Sequence, residues 1–109
     1  MTRKKPTKSE SKRMDKLSRV RCVACWGNGL TCGRTEVHHT LSGGRRRGHA
    51  FTVPLGLYHH QGIPLPGWTM HQMRTYFGPS LELESRAFHE EFGTDDELLA
   101  KVNKHLGMQ

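Results

Sequence analysis

Two histidine doublets, His38-His39 and His59-His60, flank a loop that carries three consecutive arginines, Arg45, Arg46 and Arg47, between glycines. Hydrolysis of a phosphodiester needs such groups. A metal ion must neutralise charge on the scissile phosphate and the departing oxygen, and a base must activate water. Imidazole suits both tasks, because it ligates metals and exchanges a proton near neutral pH. Neighbouring strand residues point to opposite faces. At the end of a strand, one histidine of a doublet can therefore ligate metal while the next reaches toward a phosphate. A second ligand has to come from another element, and a helix start facing the strand end is a natural source. The arginines can make charge-assisted, bidentate phosphate contacts, which hold a nucleic-acid backbone without reading its sequence.

Cys22 and Cys25 form a Cys-x-x-Cys pair, and a third cysteine, Cys32, follows it closely. In an intracellular chain, where thiols stay reduced, a Cys-x-x-Cys pair more often binds metal than forms a disulfide. The chain is 109 residues long with a hydrophobic fraction of 34%, so a side-chain core would be thin and a metal would help to stabilise it. No apolar run reaches the length of a membrane span or signal segment. The expectation is a cytoplasmic protein without a membrane partner.

The formal net charge of +7 is unevenly spread. Residues 1–21 carry nine Lys/Arg, among them Lys4 and Lys5, against two acids, whereas residues 80–109 carry three against seven. A basic first two-thirds followed by an acidic end suggests a polyanionic partner.

The elements that must position these groups follow from pattern. Residues 1–19 are nearly devoid of apolar side chains and are expected to be a disordered basic arm, part of which could become helical on a partner. A folded domain is expected over 20–109. It begins with a knuckle-like hairpin in "CVACWGNGLTCG", followed by a strand over 35–41, a loop over 42–50 and a strand over 51–55 with Pro54 at its end or edge. "GLYHHQG" reads as a short helix stopped by Gly62, and residues 63–79 as a connector with helical content around 69–76. Ser85 is expected to cap "RAFHEEF", with Gly93 as its stop. Thr94 to Glu97 fits a capping box ahead of a face of Leu98, Leu99, Val102 and Leu106. The lone His71, His89 and His105 read as surface residues. Asp95, Asp96 and Glu97 read as capping charges, and Trp26, Tyr58, Trp68 and Phe77 as core.

"EVHH…GGRRRGH…TVPLGLYHHQG" resembles an HNH endonuclease of the His-Me finger (ββα-metal) type. With "GPSL" and "SRAFHEEFGTDDELL" it is similar, over roughly residues 20–106, to the phage recombination-enhancement (Ref-type) nucleases that act with RecA. The resemblance implies a small α+β ββα-metal domain with a zinc-knuckle-like N-terminal hairpin and C-terminal helices. It puts His39 in the place of the general base and His38 and His60 at the catalytic metal, which would be Mg2+ or Mn2+. His49 is the candidate for orienting the base, a backbone carbonyl being the alternative. Cys22, Cys25 and His59 fall where such proteins keep structural Zn2+, an ion that could also enter the catalytic site. In the fuller pattern a cysteine stands three residues before His59, where this chain has Gly56. Either Cys32 completes the set, or the knuckle is held by packing of Trp26.

The resemblance further implies double-stranded DNA or recombination intermediates as substrate, a RecA filament as partner and the host cytoplasm of a phage or prophage. Arg45, Arg46, Arg47, Lys4 and Lys5 would contact DNA. Two rival readings are a non-catalytic zinc-knuckle DNA-binding module and a recombinase-accessory protein acting through its acidic C-terminal helices.

Overall fold

The computed structural model describes residues 5–42, 45–46 and 48–107. Its centre is an antiparallel ribbon of β1 (Thr35–His39) and β4 (Thr52–Gly56), in which His38 lies opposite Val53 and His39 opposite Thr52. Between them the chain makes a second ribbon of β2 (Leu41–Ser42) and β3 (Arg45–Arg46), so part of the expected 42–50 loop is paired. β4 runs directly into α2 (Leu57–Gln61), which ends at Gly62 with a left-handed φ of 75°. Three helices follow, α3 (Met70–Phe77), α4 (Ser85–Phe92) and α5 (Asp95–His105). The architecture is small and α+β.

Pro54 sits inside β4 and not at its end. A two-stranded ribbon has only edge strands, so the missing N–H removes no obligatory ladder bond. Every residue of β4 is buried, because α2 and α5 pack on it along with the N-terminal helix. Val53, Leu55, Tyr58, Phe77 and Phe88 form one core with the three cysteines.

The expectation of a disordered arm over 1–19 is corrected for residues 8–18, which form α1 (Lys8–Ser18) packed on β1 and β4. Thr7 and Glu10 make a reciprocal capping box: Thr7 Oγ1 accepts from Glu10 N at 3.2 Å, and Thr7 N donates to Glu10 Oε1 at 2.8 Å. The buried face is Arg13 and Leu17, one turn apart. Arg13 Nε donates to Thr52 Oγ1 at 3.1 Å, and Nη2 to the Thr52 carbonyl at 2.7 Å. A buried guanidinium is tolerated when it is hydrogen-bonded in this way. The composition argument failed because an arginine does here what an apolar residue was required to do.

A smaller correction concerns α4. Ser85 is its first helical residue and not its cap, since Glu84 precedes it, with no side-chain capping bond. The Glu84 carboxylate instead pairs with Arg74 at 2.7 Å. The capping box of α5 is as expected, with Thr94 Oγ1 accepting from Glu97 N at 3.1 Å and Thr94 N donating to Glu97 Oε1 at 3.0 Å.

Candidate functional site

The described residues hold one grouping of at least three metal-ligating side chains. It is Cys22, Cys25, Cys32 and His59, all buried, with their ligand atoms within 4.8 Å of one another. The 3-10 turn over Val23–Cys25 brings the Cys-x-x-Cys sulfurs together, and the first turn of α2 supplies the histidine. His59 Nδ1 lies 3.4, 3.5 and 3.1 Å from the sulfurs of Cys22, Cys25 and Cys32. A tetrahedral zinc with Zn–S of about 2.3 Å and Zn–N of about 2.0 Å requires a sulfur–nitrogen edge of about 3.5 Å. The donor set fits that ion. His59 Nε2 donates to the Phe77 carbonyl at 2.9 Å, which turns the Nδ1 lone pair toward the sulfurs.

Gly56 explains how Cys32 can stand as the fourth member of the cluster. A Cβ added at position 56 would overlap Cys32 Sγ and lie 3.3 Å from Cys22 Cβ. The Cys32 sulfur thus occupies the space that a side chain at 56 would take. Trp26 packs against the core that contains the three cysteines, and its ring also meets His105 at 4.8 Å.

Without metal the cluster holds its protons unevenly. Burial pushes the Cys22 thiol up, whereas hydrogen bonds from Cys22 and Cys25 pull Cys32 down toward thiolate. Burial opposes charge on His59, but the Cys25 and Cys32 sulfurs override it and raise the ring to about 10. Zinc binding must therefore expel protons.

The second centre lies at the end of the β1–β4 ribbon. His38 and His60 meet edge to face, with ring centroids 5.2 Å apart. Burial, and then the neighbouring His60, lower His38 to about 4, so its ring is neutral and can ligate at physiological pH. His60 Nδ1 lies 3.0 Å from Glu36 Oε1. That carboxylate also accepts from Gln61. Partial burial works against the Glu36 charge, but the bonds from Gln61 and His60 outweigh it and hold the carboxyl below its usual range. With Nδ1 donating to Glu36, the lone pair of His60 lies on Nε2, the tautomer a metal-binding histidine uses.

His39 makes a separate pair, its Nε2 lying 3.0 Å from His49 Nδ1. Thr52, opposite His39 in the ribbon, donates its hydroxyl to the His49 carbonyl at 3.0 Å and accepts from Arg13. The N-terminal helix thereby braces the turn that carries His49. Arg45 and Arg46 form β3; Arg47 and Lys4 lie outside the described residues, and Lys5 is exposed. Sequence reasoning missed Glu36, Arg13 and Asp95. Glu36 was recoverable, since it precedes His38 by two and shares its strand face.

The structure is that of a small α+β domain in which a buried Cys3His cluster that could hold a metal ion lies beside a histidine-rich strand–helix junction. The family model of recombination-enhancement, RecA-dependent nucleases matches residues 6–107, nearly the whole chain. The protein belongs to that family of nucleases, and the family name ties it to recombination, to DNA and to RecA. The curated proteins return no match. Among the described residues, no helix is long and apolar enough to cross a membrane.

Proposed function

We propose that the protein is a metal-dependent DNA endonuclease of the HNH type, with His39 as general base, directed to its substrate by a RecA filament. The observation that carries this reading is the division of labour at the ribbon end. The first doublet divides between two imidazole pairs: His38 with His60, suited to a metal, and His39 with His49 of the intervening loop, suited to proton transfer.

In this reading His39 takes a proton from the attacking water. A neutral imidazole has one donor and one acceptor nitrogen. When His39 donates from Nε2 to His49 Nδ1, its proton-accepting nitrogen is Nδ1, and the pairing also steadies the imidazolium that forms. His38 and His60 would hold Mg2+ or Mn2+, and their imidazoles would accept zinc as well. Such a cation neutralises charge on the scissile phosphate and the leaving oxygen. Zn2+ on Cys22, Cys25, Cys32 and His59 has a separate, structural role.

DNA contact falls to the basic elements flanking this centre. Lys8, Lys12 and Lys16 recur every fourth residue of α1 and are all exposed. With Lys4, Lys5 and Arg45 to Arg47 they supply salt-sensitive backbone affinity, which positions DNA and leaves its sequence unread.

The test is DNA cleavage in Mg2+ or Mn2+, with and without a RecA–single-strand filament, with wild type beside His39→Ala and His60→Ala. Metal-dependent cutting that both substitutions suppress is expected. DNA binding with no cutting in any metal would favour a zinc-knuckle binding module.

A further inference from the structure

We infer that Asp95 is a positioning residue for the base histidine, tying the exit of β1 to the C-terminal helices; the inference rests on the assignment of His39 as base. Asp95 Oδ2 accepts the Leu41 backbone N–H at 2.9 Å, across 54 residues of sequence. Asp95 Oδ1 lies 3.0 Å from His89 Nε2, and His89 Nδ1 donates to the Ser85 carbonyl at 2.9 Å. One carboxylate therefore joins three elements: the residue two beyond His39, helix α4 and helix α5. Its side chain is only 15% exposed.

Helix capping does not account for this placement. Thr94 and Glu97 already make the capping box of α5, so the Asp95 carboxylate is not needed there. The β1–β4 ladder, by contrast, stops at the pair His39–Thr52, where a strand end would fray unless the following amides were held. Beside the pairing of Leu41 with Arg46 in the second ribbon, two bonds hold these amides: Thr40 N donates to the Phe51 carbonyl at 2.9 Å, and Leu41 N donates to Asp95. Asp95 is itself rigid, because it begins a helix anchored in the core by Leu98, Leu99 and Val102. The C-terminal helices thus serve as an abutment for the residue that moves the proton.

The test compares Asp95→Ala with Asp95→Asn. Asparagine can still accept from Leu41 N through Oδ1 and donate to His89 Nε2 through Nδ2, so it keeps both bonds without the charge. Alanine keeps neither. Small displacements of a reacting group cost up to about a hundredfold in rate, so Asp95→Ala should lower kcat by about tenfold or more, with KM for DNA little changed. Asp95→Asn should stay within about threefold of wild type, because the base is still placed. The Leu41 amide should exchange slowly in wild type and Asp95→Asn, and fast in Asp95→Ala. Wild-type cleavage by Asp95→Ala would overturn the inference. Equal loss in both variants would also overturn it, because the charge and not the placement would then matter. If Asp95→Ala does not fold, Asp95→Ser, which keeps a first-turn oxygen too short to reach Leu41, takes its place. His39→Ala measured alongside separates the two claims: if it cleaves normally the base assignment fails, and if only Asp95→Ala does, this inference fails alone.

Discussion

Replacing Cys32 by alanine removes one of four candidate zinc ligands from the buried cluster, and the geometry at Gly56 says how the loss should be repaired. Structural zinc in small domains contributes about 10–16 kcal/mol of folding free energy at pH 7, against a total stability of about 5–15 kcal/mol for an ordinary domain. If Cys32 accounts for only a quarter of the lower figure, its loss costs about 2.5 kcal/mol. For a domain of this size, that is a fall in Tm of about 10–20 °C. Gly56→Cys alone should also destabilise, by about 1–3 kcal/mol, because its Cβ would collide with the Cys32 sulfur in a packed site. The two changes together should compensate, since removing the Cys32 sulfur opens the space that a cysteine at 56 would use. The assay is zinc content per chain by mass spectrometry, with a thermal melt of each variant. One zinc should be found in wild type and in Cys32→Ala/Gly56→Cys, and substoichiometric zinc in Cys32→Ala. A full complement of zinc and an unchanged melt in Cys32→Ala would refute the reasoning. So would a double variant no better than Cys32→Ala.

Other outcomes follow from the same contacts. Glu36→Gln should weaken Mn2+ binding at the His38–His60 pair by about 10–100-fold in calorimetry, because it removes the carboxylate that orients His60; unchanged affinity would contradict that role. Arg13→Ala should lower the free energy of urea unfolding by about 2–4 kcal/mol, as it breaks two charge-assisted bonds to Thr52 and empties a packed position. A loss below half a kcal/mol would show, by the usual size of surface effects, that α1 is not docked. Stability should also depend on pH through His38. Its pKa falls from an ordinary 6.5 to about 4 on folding, so the unfolded chain binds more protons between those values and stability rises with pH across that window. Urea titrations of zinc-loaded wild type and His38→Gln, without added Mg2+ or Mn2+, should diverge there, with the variant showing the shallower rise. Parallel profiles would exclude His38 as the source.

Much of the fold was legible because its signals are local. Gly62 after His59-His60 fixed the end of α2, and the Thr94–Glu97 box fixed the start of α5. The Cys3His set was legible by residue type, though sequence alone left open whether Cys32 or Trp26 compensated for Gly56. That choice depends on where a sulfur sits in space, which spacing does not encode. Helix α1 was hidden for a different reason. Its buried face pairs one leucine with one arginine, and the acceptors that make Arg13 tolerable belong to Thr52, 39 residues away. Asp95 and His89 looked like ordinary helix-surface groups for the same reason, since the partner that gives Asp95 a purpose is a backbone amide in another element. Long-range polar contacts are what periodicity and composition cannot report.

The central claim is that His39 moves a proton in a cleavage reaction guided by RecA. It is tested most directly by single-turnover cleavage of duplex DNA paired to a RecA–single-strand filament, comparing wild type with His39→Ala while DNA binding is measured in parallel. The expected result is filament-dependent cutting by wild type and a cleavage rate about 10²–10⁴-fold lower in His39→Ala, the range lost with a general base, at unchanged DNA affinity. Cutting by His39→Ala at the wild-type rate would contradict the account.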